Sequence, residues 1–370
     1  MLGGTMARTL DRRTLNRATL ERQLLLARSG MSALQAVGRL VALQAQDPNL
    51  PYLALWARLA DFRQQDLTDL LDDRSVVRSS LLRGTQHMAA ADDFLHIRPL
   101  VRESLLAGRQ AAFGRVTGDW DLDELAAEAR TLLDGRTLTR PQLARALAER
   151  WPGRDPQALG WSSQALVPVV HPPPSGTWNT RGATPFALAE DWIGRPLEED
   201  PGPDRLIHRY LAAFGPASVK DFQAWSGLRR MDADFERLRP GLDVFRDENG
   251  TELFDVPGMP LPSGDVPAPV RFLPDLDNLL LAYADRTRLM TGERRKAVCV
   301  GAWVKATLLV DGRVHGVWKL RHDREEGRAE LAIELFEPLP DASEAEEEAA
   351  RLLDFAAPGA VHAVRITVPE

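Results

Sequence analysis

Lysine is scarce in this sequence. Of 46 basic residues only four are lysines: Lys220, Lys296, Lys305 and Lys319. The rest are arginines, whose planar forks suit bidentate contacts with phosphate or guanine. Codon bias in a GC-rich genome gives the same composition. Cysteine is scarcer still. Cys299 is alone, which excludes an internal disulfide, a zinc finger and an iron–sulfur cluster, and fits a reducing cytoplasm. No apolar run reaches the ~18 residues of a transmembrane helix, so no membrane partner is expected. The start, Met1 to Met6, lacks a signal peptide's apolar core, and Met6 offers a second start. Dinucleotide fingerprint, P-loop, zinc-protease helix and nucleophile elbow are all missing. The seven histidines show no ligand spacing. Neither a metal nor a nucleotide cofactor is expected.

What is present is a chain of 370 residues, 44% hydrophobic and 27% charged, enough for about two to three soluble domains. The net charge of −7 argues against nucleic acid if spread evenly, but it is not spread evenly. Residues 8–39 hold seven arginines against Asp11 and Glu21. Residues 286–296 hold Arg286, Arg288, Arg294, Arg295 and Lys296 against Glu293. Acid collects elsewhere, as in Asp341–Asp354. Such stripes are either a phosphate-binding face or solvated helix faces.

Three segments share one local grammar, a helix followed by a capping box that opens a second helix. The boxes are Ser32-Ala33-Leu34-Gln35, Thr139-Arg140-Pro141-Gln142 and Ser218-Val219-Lys220-Asp221. Helices are expected before them at 14–28, 121–134 and 204–214. After the second box come a helix at about 155–167 and a strand pair, Leu166–Val170 and Phe186–Leu188. After the third come a helix over Asp232–Leu238 and strands Leu242–Arg246 and Glu252–Val256 around an Asn249-Gly250 turn. Three helices and a hairpin are the order of a winged helix-turn-helix unit. Generic helical corners in an α-rich enzyme are the competing reading. Five prolines in 257–269 break the pattern. Strands then follow at Val298–Val304, Ala306–Val310, Val314–Leu320, Ala329–Leu335 and Val361–Val368, with a helix at 342–355. The expected fold class is α+β, mostly α: three tandem winged helix-turn-helix units at 8–118, 119–200 and 201–258, then a β-rich module at 270–370.

Leu43-Gln44-Ala45-Gln46-Asp47-Pro48 is read as the end of the first capped helix, with Pro48 holding Asp47 out of helical geometry. In an extended exit Gln44 and Gln46 point the same way and present two carboxamides to one small molecule, such as a water. Alternatively they satisfy backbone groups at the helix end. Arg83-Gly84-Thr85-Gln86-His87-Met88 reads as a turn with an exposed arginine and histidine, or as a structural turn. Leu276-Asp277-Asn278 and Asp285-Arg286-Thr287-Arg288 either anchor the β module or reach DNA.

In these motifs and their order the chain resembles the AlkZ-like winged-helix DNA glycosylases. The resemblance rests on Gln44-Ala45-Gln46 after an Arg-rich helix pair, on Arg83 to Met88, on the wing Val169–Gly182 closing into Ala187–Gly194, and on Arg271-Phe272-Leu273-Pro274 through Arg288. It implies a cradle around duplex DNA, with Gln44 and Gln46 as the catalytic pair and Asp47 as electrostatic support or a turn cap. Arg83, Thr85, His87, Arg286, Arg288, Arg294, Arg295 and Lys296 become the expected DNA contacts. A related subfamily has aspartate at the second glutamine, so Gln46 sides with the crosslink-unhooking branch. Ala89 departs from the proline common after the family's histidine. The implied partner is double-stranded DNA with alkylated or crosslinked guanine, in the cytoplasm at the nucleoid, with no obligate protein partner. With no lysine before Lys220, hydrolysis without a Schiff base is expected. A non-catalytic winged-helix regulator and a drug-sequestering resistance protein are the alternatives.

Overall fold

The structure is a computed structural model that describes residues 8–368; Met6 lies outside the described residues. Strand β1 (Thr9–Leu10) and helices α1 (Arg12–Arg22) and α2 (Ala33–Arg39) open the chain. Leu24, with a left-handed φ of 59°, ends the first helix earlier than its apolar pattern suggests. Strand β2 (Leu43–Gln44), helices α3 (Leu50–Arg58) and α4 (Gln64–Asp72), strands β3 (Val76–Ser80) and β4 (Gln86–Ala90), and helices α5 (Ala91–Leu100) and α6 (Arg102–Phe113) follow. The three strands form one sheet in the order β2-β4-β3.

The next segment runs α7 (Leu122–Leu133), β5 (Leu138–Thr139), α8 (Arg140–Arg150), α9 (Pro156–Leu166), β6 (Val169–Val170), β7 (Pro185–Leu188) and α10 (Ala189–Ile193). Its sheet order is β5-β7-β6. The strand expected from Leu166 is only two residues long, because α9 extends through Leu166. A third cycle runs α11 (Asp204–Phe214), α12 (Val219–Ser226), α13 (Asp232–Leu238), β8 (Asp243–Asp247) and β9 (Glu252–Asp255). β1 joins this last hairpin in parallel, pairing Thr9 with Arg246, so the chain's first strand completes its third small sheet. All three capping boxes form. Ser32, Thr139 and Ser218 accept from the backbone N–H three residues on, and Gln35, Gln142 and Asp221 reach back. Each cap is worth about 1 kcal/mol.

The remainder holds β10 (Arg271–Leu273), α14 (Asn278–Leu281), α15 (Gly292–Val298), β11 (Cys299–Val300), β12 (Trp303–Val304), β13 (Thr307–Val310), β14 (Arg313–Asp323), β15 (Arg328–Leu335), α16 (Ser343–Ala356) and β16 (Val361–Thr367). The strand expected over 298–304 is instead a short hairpin, folded back at Gly301 with φ 61°. Five strands make one sheet, β10-β13-β14-β15-β16, and α16 carries the chain between the parallel neighbours β15 and β16. Asp311 and Gly312, with φ 44° and 73°, make the tight turn between β13 and β14, as an Asp-Gly pair favours. No helix among the described residues is long and apolar enough to cross a membrane.

The hydrophobic cores do not divide by segment. One continuous core joins α2, α3, α11, α12 and the large sheet. Residues 120–188 gather a second one around Leu125, Leu143, Leu159 and Phe186. Ion pairs bind the first core. Arg58, at the end of α3, and Asp277, the N-cap of α14, are both 0% exposed and meet fork to fork at 2.8 and 2.9 Å. Arg22 meets Asp255 at 2.6 and 2.7 Å, and Arg28 meets Glu348 at 2.6 Å. Arg17 pairs with Asp311. The arginines of this N-terminal stripe are structural clamps to the far end of the chain, and the phosphate-face reading of 8–39 fails for these three. Asp277→Ala leaves Arg58 buried and unpaired, and is expected to cost about 3–5 kcal/mol in urea denaturation. Replacing Arg58 by Met and Asp277 by Leu together should cost much less.

Candidate active site

The glutamine pair lies at the exit of a strand, with Gln44 its last residue and Gln46 in the bend beyond, not at a helix end. α2 stops at Arg39, and Val41, with φ 69°, turns the chain into β2. Leu43 pairs with Met88 and Gln44 with His87, and Ala45 N donates to Gln86 O at 2.7 Å. The strand ends at Gln44, and Gln46 follows in a bend two residues on. Ala45 is fully buried, Gln44 is 6% exposed and Gln46 is open to solvent. Two side chains fix this backbone. Asn278 accepts from Gln44 N at 3.2 Å and donates to Ala42 O. Arg78 donates to Ala45 O from both Nε and Nη2, at 3.1 and 2.9 Å. The segment 276–278 is therefore an anchor.

Both carboxamide oxygens have protein donors. Arg83 Nη2 donates to Gln44 Oε1 at 3.1 Å, and Thr85 Oγ1 lies 3.4 Å from the same oxygen. The N–H of Gln86 donates to Gln46 Oε1 at 3.2 Å. A guanidinium and a backbone amide can only donate, so the atoms facing them must be oxygens. Arg83 occupies a left-handed turn with φ 55°, ahead of Gly84, and also donates to Trp225 O. His87 is 1% exposed, against the expectation of an exposed histidine. Burial, then the Arg83 charge, pushes its pKa down to about 3. The neutral ring donates from Nδ1 to Thr85 O at 2.9 Å and turns Nε2 toward Arg83 at 3.5 Å. Arg83 and Thr85, half-buried, and the buried His87 thus line the back of the glutamine pair.

Asp47 caps its own turn, accepting from Asn49 N at 2.9 Å. It also opens onto a cleft of about 1010 Å³ between the exit of β2, the loop Trp178–Arg181 and strands β14 to β16. Arg181, Lys305, Lys319, Arg324 and Arg365 line it, with the indoles of Trp178, Trp303 and Trp318. Asp275 also lines it, accepting from Trp303 Nε1 at 3.1 Å and Ala306 N at 2.8 Å. Burial raises the Asp275 pKa, and Asp47 adds to the rise.

The second basic stripe is divided. Arg288 is buried over the Tyr283 ring, 4.1 Å from its centroid, and donates to Pro216 O. Arg286 donates to Cys299 Sγ at 3.0 Å, and Arg294 pairs with Glu337 at 2.6 Å. These three hold the fold. Arg295 and Lys296 remain exposed on α15. The cleft's own cations escaped the sequence reading. One signal was available: three of the four lysines fall within 296–319.

Three small winged sheets carried on capped helices, beside a cationic cleft that Asp47 lines immediately after the glutamine pair, define a class. It is that of winged-helix proteins acting on nucleic acid. Comparison with known proteins narrows it. The family model described as DNA glycosylase AlkZ-like matches residues 37–355. The interstrand DNA cross-link repair glycosylase of Streptomyces sahachiroi is 28% identical over 338 residues, 81% of this chain and 85% of that protein. The solved structure of S. sahachiroi DNA glycosylase AlkZ shares the fold. Its TM-score is 0.79 at 24% identity, over 97% of this chain and 100% of that one. The chain belongs to the AlkZ-like DNA glycosylase family. It is a DNA glycosylase, a hydrolase whose substrate is DNA.

The buried histidines give the fold an acid limit. Burial holds His87 and His171 down to about 3, whereas an unfolded histidine titrates near 6.5. Between those values the unfolded chain binds protons that the folded one does not, so stability falls as pH drops. Each group contributes a slope of about 1.4 kcal/mol per pH unit. Urea midpoints should decline from pH 6.5 to pH 4, and His87→Gln should make that decline shallower. An unchanged slope in His87→Gln would place the proton uptake elsewhere.

Proposed function

We propose that the enzyme hydrolyses the N-glycosidic bond of N7-alkylated purines in duplex DNA, bulky adducts and interstrand crosslinks included. The observation that carries this is the placement of Gln44 on β2 and Gln46 just past its end, both held by residues of the Arg83–Gln86 turn, with Asp47 next in the chain lining the cationic cleft. An N7-alkylguanine already bears positive charge, so its departure needs no acid. The C1′–N9 bond breaks with its electron pair leaving on the base. The sugar becomes an oxocarbenium-like cation, and a water oxygen bonds to C1′ and releases its proton to solvent. Neutral carboxamides are weak bases but good positioners of that water. This restricts the enzyme to lesions already activated by alkylation. Asp47 and Asp275 supply negative charge on the same side of the cleft, where the sugar cation develops.

DNA is held by the cleft cations Arg181, Lys305, Lys319 and Arg324, with Arg295 and Lys296 extending the track. The fold brings Lys305 and Lys319 into the cleft, but both are exposed. A Schiff base requires a neutral amine, which burial normally provides; the reading remains hydrolysis alone. We assign the role to repair, or self-resistance to a DNA-alkylating natural product, at the nucleoid in the cytoplasm. The relative's activity in cross-link repair supports it. As structural units we propose 8–118, 119–200, 201–258 and 270–370.

The test is single-turnover release of N7-methylguanine from a duplex. Gln44→Ala and Gln46→Ala should each lower the rate about a hundredfold or more, with duplex affinity nearly unchanged. A wild-type protein that binds duplex and releases nothing would make it a regulator. High-affinity binding of an alkylating drug without DNA would make it a sequestering protein. Borohydride should trap no enzyme–DNA adduct. An adduct that disappears in Lys305→Met or Lys319→Met would overturn the hydrolytic reading.

A further inference from the structure

The two glutamines are chemically alike, but their surroundings are not. Gln44 Oε1 accepts from Arg83 Nη2 at 3.1 Å, and Thr85 Oγ1, whose hydroxyl has a nearer acceptor in Leu82 O, lies 3.4 Å away. Its Nε2 has no protein partner and is not among the sealed, unpartnered polar atoms of the described residues. Gln46 Oε1 receives a single N–H, from Gln86, and keeps its second lone pair free. Gln44 therefore offers a free donor at Nε2 while Arg83 holds its oxygen, whereas Gln46 keeps a free acceptor.

Arg83 is what imposes the difference, and its own place is tightly determined. It donates to Gln44 and to Trp225 O at the end of α12, and His87 Nε2 stands 3.5 Å away. Gly227, with φ 81°, follows α12 directly; a Cβ there would lie 3.1 Å from Arg83 Cα and N. The third winged unit therefore closes over the backbone of Arg83 at a position where only glycine fits.

We infer that Arg83 is a positioning residue that fixes Gln44 as a hydrogen-bond donor, leaving Gln46 to accept. Resting on the hydrolytic reading above, this gives the water one orientation. It accepts from Gln44 Nε2, donates to Gln46 Oε1, and keeps its second lone pair for C1′. Were Gln44 free to flip, half of its orientations would present an acceptor, and the water's lone pair would lose its alignment.

The experiment is a set of variants assayed for single-turnover N7-methylguanine release and for duplex Kd. Gln44→Glu has no donor and should lose as much rate as Gln44→Ala. Gln46→Glu keeps the acceptor and should stay within about tenfold of wild type. Arg83→Ala should lower the rate about a hundredfold with Kd little changed, and Arg83→Lys, which restores one donor, should recover part of it. In the Arg83→Ala background, Gln44→Ala should cost far less than in wild type. A thermal melt shows whether Arg83→Ala folds, and the two glutamate variants test the division of roles even if it does not. Full rate in a folded Arg83→Ala, or in Gln44→Glu, alongside an inactive Gln44→Ala, overturns this inference and leaves the hydrolytic reading standing. Full rate in both glutamine-to-alanine variants overturns that reading and this inference with it.

Discussion

The fully buried pair of Arg58 and Asp277 fixes where everything else can sit. Two charges with no exposed surface carry a desolvation penalty of several kcal/mol each. That penalty is offset only when the fork geometry is right and the remaining donors and acceptors are filled. Asp277 also accepts from Leu279 N and Arg58 also donates to Ala54 O, though Arg58 Nε stays buried without a partner, so the penalty is only partly offset. Such a pair adds little net stability over apolar residues of the same volume, and what it contributes here is register. The next residue, Asn278, grips Ala42 and Gln44. A one-residue slip of α14 would carry Asn278 away from the glutamine strand.

The same logic explains the unusual charge layout. An acidic chain that binds DNA must separate its cations from its anions. Here the N-terminal arginines are neutralised internally, by carboxylates at 255, 311 and 348, more than two hundred residues further along the chain. The uncompensated cations are left on the cleft wall formed by the large sheet and on α15. Net charge describes solubility; the field inside the cleft is set by this segregation.

How much could be read from residues alone follows from the range of each interaction. The capping boxes, the Asp311-Gly312 turn and four strands of the large sheet are local signals, and they form; the edge strand Arg271–Leu273 is too short to announce itself. The chemistry of Gln44 and Gln46 was legible as a spacing, although the spacing sits at the exit of a strand. A left-handed Val41, which no propensity forecasts, ends the helix early. Arg83 and His87 look like exposed turn residues because nothing local announces that α12 will cover them. Arg286, Arg288 and Arg294 look like a DNA stripe for the same reason: their partners are Cys299, Pro216 and Glu337, found only by folding. Asp275 in the turn after β10, Lys305 in the link between β12 and β13, and Lys319 on β14 converge from separate parts of the chain, and only the assembled sheet makes them one surface.

The second winged unit, with its own core around Leu125 and Phe186, has a different standing from the rest. Substitutions around Leu125 and Leu143 sit apart from the glutamine strand, whereas those near 169–176 couple to it, because Ser175 accepts from Arg78 Nη1 at 3.0 Å and Val169 O accepts from Ser79. Its loop nevertheless supplies Trp178 and Arg181 to the rim of the cleft. A lineage of such enzymes can therefore reshape what the cleft admits by rebuilding the loop around Trp178 and Arg181, provided the Arg78–Ser175 contact that steadies Ala45 is kept.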